Sequence, residues 1–111
     1  MDVPTVLVDQ IPATAVLLDV REDVEWEAGH IEGAVHVPLN SIPATLAHDP
    51  GSLTPDASIV VVCAVGGRSA HVTAWLITQG YDAVNLHGGM HAWAHAGRPM
   101  ISDTGLAPTV L

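Results

Sequence analysis

The longest apolar run in the chain, Ile59-Val60-Val61-Val62-Cys63-Ala64-Val65, is seven residues long and ends in a glycine pair, Gly66-Gly67. Its first four positions are all β-branched with no polar alternation, the pattern of a short strand buried on both faces. Such a strand belongs inside a sheet covered by helices on each side. The run is far short of the roughly 20 apolar residues that cross a bilayer. A second run, Val16-Leu17-Leu18-Asp19-Val20, has the same character and stops before the polar turn Arg21-Glu22-Asp23. Ser58 to Val62 and Val16 to Val20 are therefore expected as parallel central strands, with weaker strands at Thr5 to Val8, Ala34 to Val37 and Ala83 to Asn85.

Helical signals fall between these strands. Asp23 is positioned to cap Val24 to Ala28 before Gly29, and Ser41 to cap a helix reaching His48, with Pro43 in its first turn. The clearest helix is expected over Arg68 to Gln79, with Ala70, Thr73, Ala74 and Ile77 on one face, Val72, Trp75 and Leu76 widening its buried apolar surface, and Gly80 as its stop. A last one is expected over Met90 to Ala96, after Gly88-Gly89. Strands alternating with helices define an α/β domain with a parallel sheet covered on both faces. With 111 residues the expectation is one domain, residues 1–111, with a core over about 5–100 and a tail over 101–111 that straps an edge or frays.

Charge and cysteine usage narrow the function. Twelve acids stand against three arginines and no lysine, a formal net charge of −9, which leaves no basic face for nucleic acid or an anionic membrane. The N-terminus, Met1-Asp2-Val3-Pro4, carries an acid where a secretory signal carries lysine or arginine. Cys63 is the only cysteine, so neither an internal disulfide nor a multi-cysteine zinc site can form. A cytoplasmic, acidic protein with one thiol is the expectation.

That thiol stands at the carboxyl end of a buried strand, where parallel α/β sheets place their sites. The segment Val62-Cys63-Ala64-Val65-Gly66-Gly67-Arg68-Ser69 reads as strand, tight loop, then helix start. Helix N-termini present unpaired N–H groups, and the two glycines let successive amides turn inward as an anion nest. A thiolate at that nest is stabilised, and Arg68 supplies a planar cation able to grip an oxyanion. Cys63 is thus the candidate nucleophile, with Ala64, Val65, Gly66, Gly67, Arg68 and Ser69 as the substrate-binding loop. An inert buried thiol is the competing reading of the same residue.

Three ordered segments resemble the single-domain rhodaneses, the thiosulfate sulfurtransferase-like domains. Leu18 to Glu22 with Glu25 to Leu39 resembles that family's N-terminal signature, Cys63 to Ser69 its active-site loop, and Gly88 to Pro99 its C-terminal signature. The resemblance implies a five-stranded parallel sheet with helices on both faces. It also implies a Cys63 persulfide, formed from a donor such as thiosulfate and discharged to a thiol or cyanide, with no cofactor and no metal. Without a second cysteine the sulfur must leave to another molecule, an acceptor protein among the options. Four residues separate Cys63 from Arg68, whereas phosphatases and arsenate reductases similar in fold carry one more; the shorter loop favours a single sulfur atom over phosphate. Ala64 and Val65 are apolar where many thiosulfate-using members are polar or basic, so Arg68 is the loop's single cation. The alternative is a non-catalytic rhodanese-fold module for binding or redox sensing.

Other features carry structural expectations. Asp19 and Arg21 suit a salt bridge at the strand end, and His30 and His36 suit hydrogen bonds in turns. His91 and His95, four apart, and His87 read as surface residues, while Trp26, Trp75 and Trp93 read as core.

Overall fold

In the computed structural model, which describes residues 2–111, the two apolar runs lie side by side at the centre of one sheet. The strands are β1 (Thr5–Val6), β2 (Val16–Asp19), β3 (Val35–His36), β4 (Ser58–Val62) and β5 (Asp82–Leu86). All pair in parallel, in the order β1-β5-β4-β2-β3. The helices are α1 (Asp23–Ala28), α2 (Ile42–His48), α3 (Gly67–Thr78) and α4 (Gly89–His95).

Side chains along β4 divide the core by the two-residue period of a strand. Ile59, Val61 and Cys63 face a cluster built with Ile42 of α2 and Val72 and Leu76 of α3. Val60 and Val62 face the opposite cluster, with Ile31 and with Met90 and Trp93 of α4. Both faces of the strand are dry, as its lack of polar alternation requires.

Several element limits differ from expectation, each for a local reason. β1 stops at Val6, because Val8–Gln10 curls into a 3-10 turn closed by the Leu7 N–H donating to Gln10 Oε1 at 3.0 Å. β3 is shorter than expected and runs into Pro38, which has no N–H to offer a ladder. β5 is a residue longer at each end than expected. Glu22, not Asp23, holds the N-cap of α1, and its N–H donates to Glu25 Oε1 at 3.0 Å.

The buried face of α3 keeps Val72, Thr73 and Leu76 of the expected apolar surface but is turned towards Ser69 and away from Trp75 and Ile77. Ser69, Val72, Thr73 and Leu76 turn inward, while Trp75 and Ile77 are exposed. Thr73 is tolerated inside because its hydroxyl donates to the Ser69 carbonyl at 2.7 Å. The rotation brings the Ser69 hydroxyl beneath the Cys63 loop.

Residues after α4 strap the end of α1. Ile101 pairs antiparallel with His30 through two 2.9 Å bonds, and the amides of Asp103 and Thr109 donate to the carbonyls of Glu27 and Ala28 at 2.8 and 2.9 Å. Those carbonyls are left over at the helix C-terminus, so the tail satisfies groups the helix cannot. No helix among the described residues is long and apolar enough to cross a membrane.

Candidate active site

Cys63 follows the last residue of β4, and its loop is shaped from two sides. Gly66 sits at φ +108°, in the left-handed region, and its N–H donates to Cys63 Sγ at 3.1 Å. On the other side, α4 begins against the loop backbone. The N–H groups of Met90 and His91 donate to the carbonyls of Cys63 and Ala64 at 2.8 and 3.0 Å. With those carbonyls turned to α4, the loop amides are free to face the sulfur. Only glycine permits this approach at position 89: a Cβ there would lie 2.3 Å from the Cys63 oxygen and 2.7 Å from the Ala64 oxygen, at a φ of +57°.

Ser69 completes the setting from the first turn of α3. Its Oγ lies 3.2 Å from Cys63 Sγ and 2.5 Å from Asn85 Oδ1, and the Asn85 amide nitrogen donates to the Gly66 carbonyl at 3.2 Å. Ser69 is fully buried and Asn85 nearly so. Cys63 as a residue is 1% exposed. Burial pushes its pKa up, but hydrogen bonds from the Ser69 hydroxyl and from the amides of Ser69, Gly66 and Val65 outweigh that, and the net direction is down.

The loop residues expected to surround the cysteine are thus brought together, but not all of them face the sulfur. Val65 projects outward at 66% exposure, giving the loop an apolar tip. Arg68 is tied into structure. Its two terminal nitrogens donate to the two carboxylate oxygens of Glu25 at 2.7 and 2.9 Å, a bidentate pair joining α3 to α1. The Arg68 guanidinium holds the Glu25 carboxyl down at about 2, and Glu25 in turn raises the arginine. The loop's cation is therefore already spoken for.

At the end of β2, Asp19 and Arg21 form a fully buried pair. Arg21 Nε and Nη2 donate to both Asp19 oxygens, and Nη2 also reaches the Gly29 carbonyl at 2.8 Å. This is a strut between β2 and the end of α1. Trp26 stacks flat on His30 and His36, with centroids 3.7 and 4.6 Å apart. His30 Nδ1 donates to the Trp26 carbonyl at 2.7 Å and His36 Nε2 to the Arg21 carbonyl at 2.8 Å, the turn bonds expected of them. Of the three tryptophans expected in the core, Trp93 is buried, Trp26 is half-buried in that stack, and Trp75 is exposed. His87, His91 and His95 are all exposed.

Three contributors carry no role at the site in the sequence reading: Glu25, Gly89 and Asn85. Asn85 had a visible signal, a lone amide in the run Ala83-Val84-Asn85-Leu86, where a buried strand has no solvent to offer it. Glu25 had none, since its partner lies 43 residues away.

The fold and site define a class of parallel α/β domains that hold one thiol among inward amides at a strand's carboxyl end. The sequence pattern of the rhodanese-like domain family matches residues 3–96, and the chain belongs to that family. A sulfurtransferase of Allochromatium vinosum is 36% identical over 91 residues, covering 81% of each chain. The thiosulfate sulfurtransferase GlpE of Shewanella oneidensis is 38% identical over 92 residues, covering 81% of this chain and 87% of its own. A rhodanese-like domain protein from Staphylococcus aureus superposes with a TM-score of 0.73 at 33% identity, covering 96% of this chain and 99% of the other. With these relatives, the chain is an enzyme of the rhodanese-type sulfurtransferase class.

Proposed function

We propose that Cys63 is the nucleophile and sulfur carrier of this sulfurtransferase, with the chain acting as one catalytic unit over residues 1–111. The observation that carries the reading is the thiol held between the Gly66 amide and the Ser69 hydroxyl, at 3.1 and 3.2 Å. In the first half-reaction the Cys63 thiolate attacks the outer sulfur of a donor. A new S–S bond forms to Sγ, the donor's own bond to that sulfur breaks, and its electron pair leaves with the remainder of the donor. In the second, an acceptor thiolate or cyanide attacks the terminal sulfur and the electron pair returns to Sγ. No external oxidant or reductant enters. The loop amides of Ala64 to Ser69 hold the charge on the terminal sulfur.

The donor class follows from Arg68. With its guanidinium paired to Glu25, it offers a doubly charged anion little, and the chain's −9 charge repels one. The exposed apolar tip at Val65 suits a persulfide on a small thiol or a protein better than thiosulfate. A cytoplasmic setting is part of this reading, because a reducing compartment keeps a lone thiol available for transfer. Steady-state kinetics with thiosulfate, mercaptopyruvate and a low-molecular-weight persulfide test the donor order; a kcat/KM for thiosulfate equal to or above that for the persulfide contradicts it. Near-complete burial of Cys63 favours one second reading, a non-catalytic binding or redox-sensing module. That reading requires no turnover with any of the three donors and a thiol that titrates near the free value of about 8.5.

A further inference from the structure

We propose that Asn85 is a positioning residue that sets the ionisation of Cys63 by competing with its sulfur for the single proton of the Ser69 hydroxyl. Among the described residues, Ser69 Oγ has two neighbours that call for that proton, Cys63 Sγ at 3.2 Å and Asn85 Oδ1 at 2.5 Å. The orientation of the Asn85 amide is fixed, because its nitrogen donates to the Gly66 carbonyl, which can only accept. Oδ1 must therefore face Ser69, and a carbonyl oxygen has no hydrogen to offer it. Ser69 is 0% exposed and Asn85 7%, so the shortage is not relieved by bulk solvent.

Two arrangements satisfy the cluster to different degrees. With a neutral thiol, the chain Cys63 S–H to Ser69 O–H to Asn85 Oδ1 places every hydrogen on an acceptor. When the thiol loses its proton to solvent, the thiolate is an acceptor only. The Ser69 hydroxyl then turns to Sγ and leaves Oδ1 facing an oxygen lone pair. In a persulfide the charge has moved to the terminal sulfur and the bridging Sγ is neutral, so the hydroxyl returns to Asn85. Asn85 thus opposes the free thiolate and favours the sulfur-loaded state. This last consequence rests on the persulfide reading; the competition for the proton does not.

The ionised and titratable groups around the thiol are otherwise committed or outside hydrogen-bonding reach of the sulfur. Arg68 at the start of α3 is paired with Glu25 of α1, and Asp19 at the end of β2 is paired with Arg21. His87 after β5 and His91 on α4 are exposed, and Glu22, the N-cap of α1, is exposed as well. The Gly66 amide and the Ser69 hydroxyl donate to Sγ at 3.1 and 3.2 Å, and the amides of Val65 and Ser69 add to them; none of these donors is titratable.

The test is the pH dependence of Cys63 alkylation by iodoacetamide, in the full chain and without any sulfur donor. Asn85→Leu removes the competing acceptor and leaves Sγ as the hydroxyl's partner. Below the thiol's midpoint its alkylation rate is expected to rise by roughly threefold to tenfold. Ser69→Ala is expected to slow alkylation, and the Ser69→Ala/Asn85→Leu double variant is expected to match Ser69→Ala alone. A loop merely loosened by loss of the Gly66 bond would speed the double variant as much as the single one. Asn85→Val, smaller and suited to a strand, is read in the same way should leucine not be accommodated. An unchanged or slower rate in the folded Asn85 variant, or an equal acceleration without Ser69, overturns the proposal. Because alkylation needs no donor, either result is independent of whether the chain transfers sulfur.

Discussion

Replacing Glu25 by glutamine keeps the shape of the Arg68 partner and removes its charge. The pair is bidentate at 2.7 and 2.9 Å, with the Glu25 side chain 16% exposed and that of Arg68 37%. The carboxyl is lowered from its ordinary 4.5 to about 2, chiefly by the hydrogen bonds from Arg68. At 1.36 kcal/mol per decade of proton affinity, that depression caps the charge effect at about 3 kcal/mol. Solvent around the exposed arginine reduces it to about 1–2 kcal/mol. The sign is set by the direction of the shift. A carboxyl depressed in the folded state contributes fully above its unfolded value near 4.5, and the contribution is lost as pH falls towards about 2. Urea unfolding near neutral pH should therefore show the Glu25→Gln midpoint lower by roughly 0.5–1 M. Repeated at about pH 3, between the two values, the gap should be clearly smaller. A gap equal at both pH values, or none at neutral pH, refutes the assignment of this pair as a charge-dependent tie between α1 and α3.

Other consequences are as direct. Glu25→Gln also frees the Arg68 charge, so the KM for thiosulfate should fall while that for a neutral-tailed persulfide stays put; steady-state kinetics on both donors check this. Gly89→Ala would press a Cβ onto the Cys63 and Ala64 carbonyls, and loss of the Met90 and His91 bonds should cost about 2–4 kcal/mol by urea titration, with sulfur transfer falling alongside. Asp19→Asn leaves Arg21 buried with half its partner and should cost about 3–5 kcal/mol, seen as a large drop in thermal midpoint. Alkylation of Cys63 should proceed with a midpoint below that of a free thiol, and Ser69→Ala should move it up.

What could be read in the sequence followed from short-range regularity. An apolar run without alternation fixes a central parallel strand, and Cys63 stands at its carboxyl end, where the proposed chemistry is placed. The loop's inward glycine was legible for the same reason, since Gly66 must adopt a backbone that other residues avoid. What escaped depends on which distant group meets which. Arg68 in a cysteine loop reads as an anion clamp until Glu25 arrives from α1 and takes both of its terminal nitrogens. Trp75 looked like core because its helix is apolar on several sides, but the helix turns to bury Ser69 and Thr73, whose hydroxyls donate to Asn85 Oδ1 and to the Ser69 carbonyl. Whether the tail straps or frays stays open in the sequence, because the α1 carbonyls of Glu27 and Ala28 that Asp103 and Thr109 answer exist as a demand only once that helix has formed.

The central claim is that Cys63 carries the transferred sulfur, and intact mass spectrometry measures it directly. The chain is incubated with a persulfide donor, desalted and weighed, then treated with a thiol acceptor and weighed again. The account predicts a gain of one sulfur atom, its location on the peptide containing Cys63, its absence in Cys63→Ser, and its loss to the acceptor. No gain in mass with a persulfide or thiosulfate donor, while a known sulfurtransferase is loaded under the same conditions, contradicts the account; so does a gain that persists in folded Cys63→Ser.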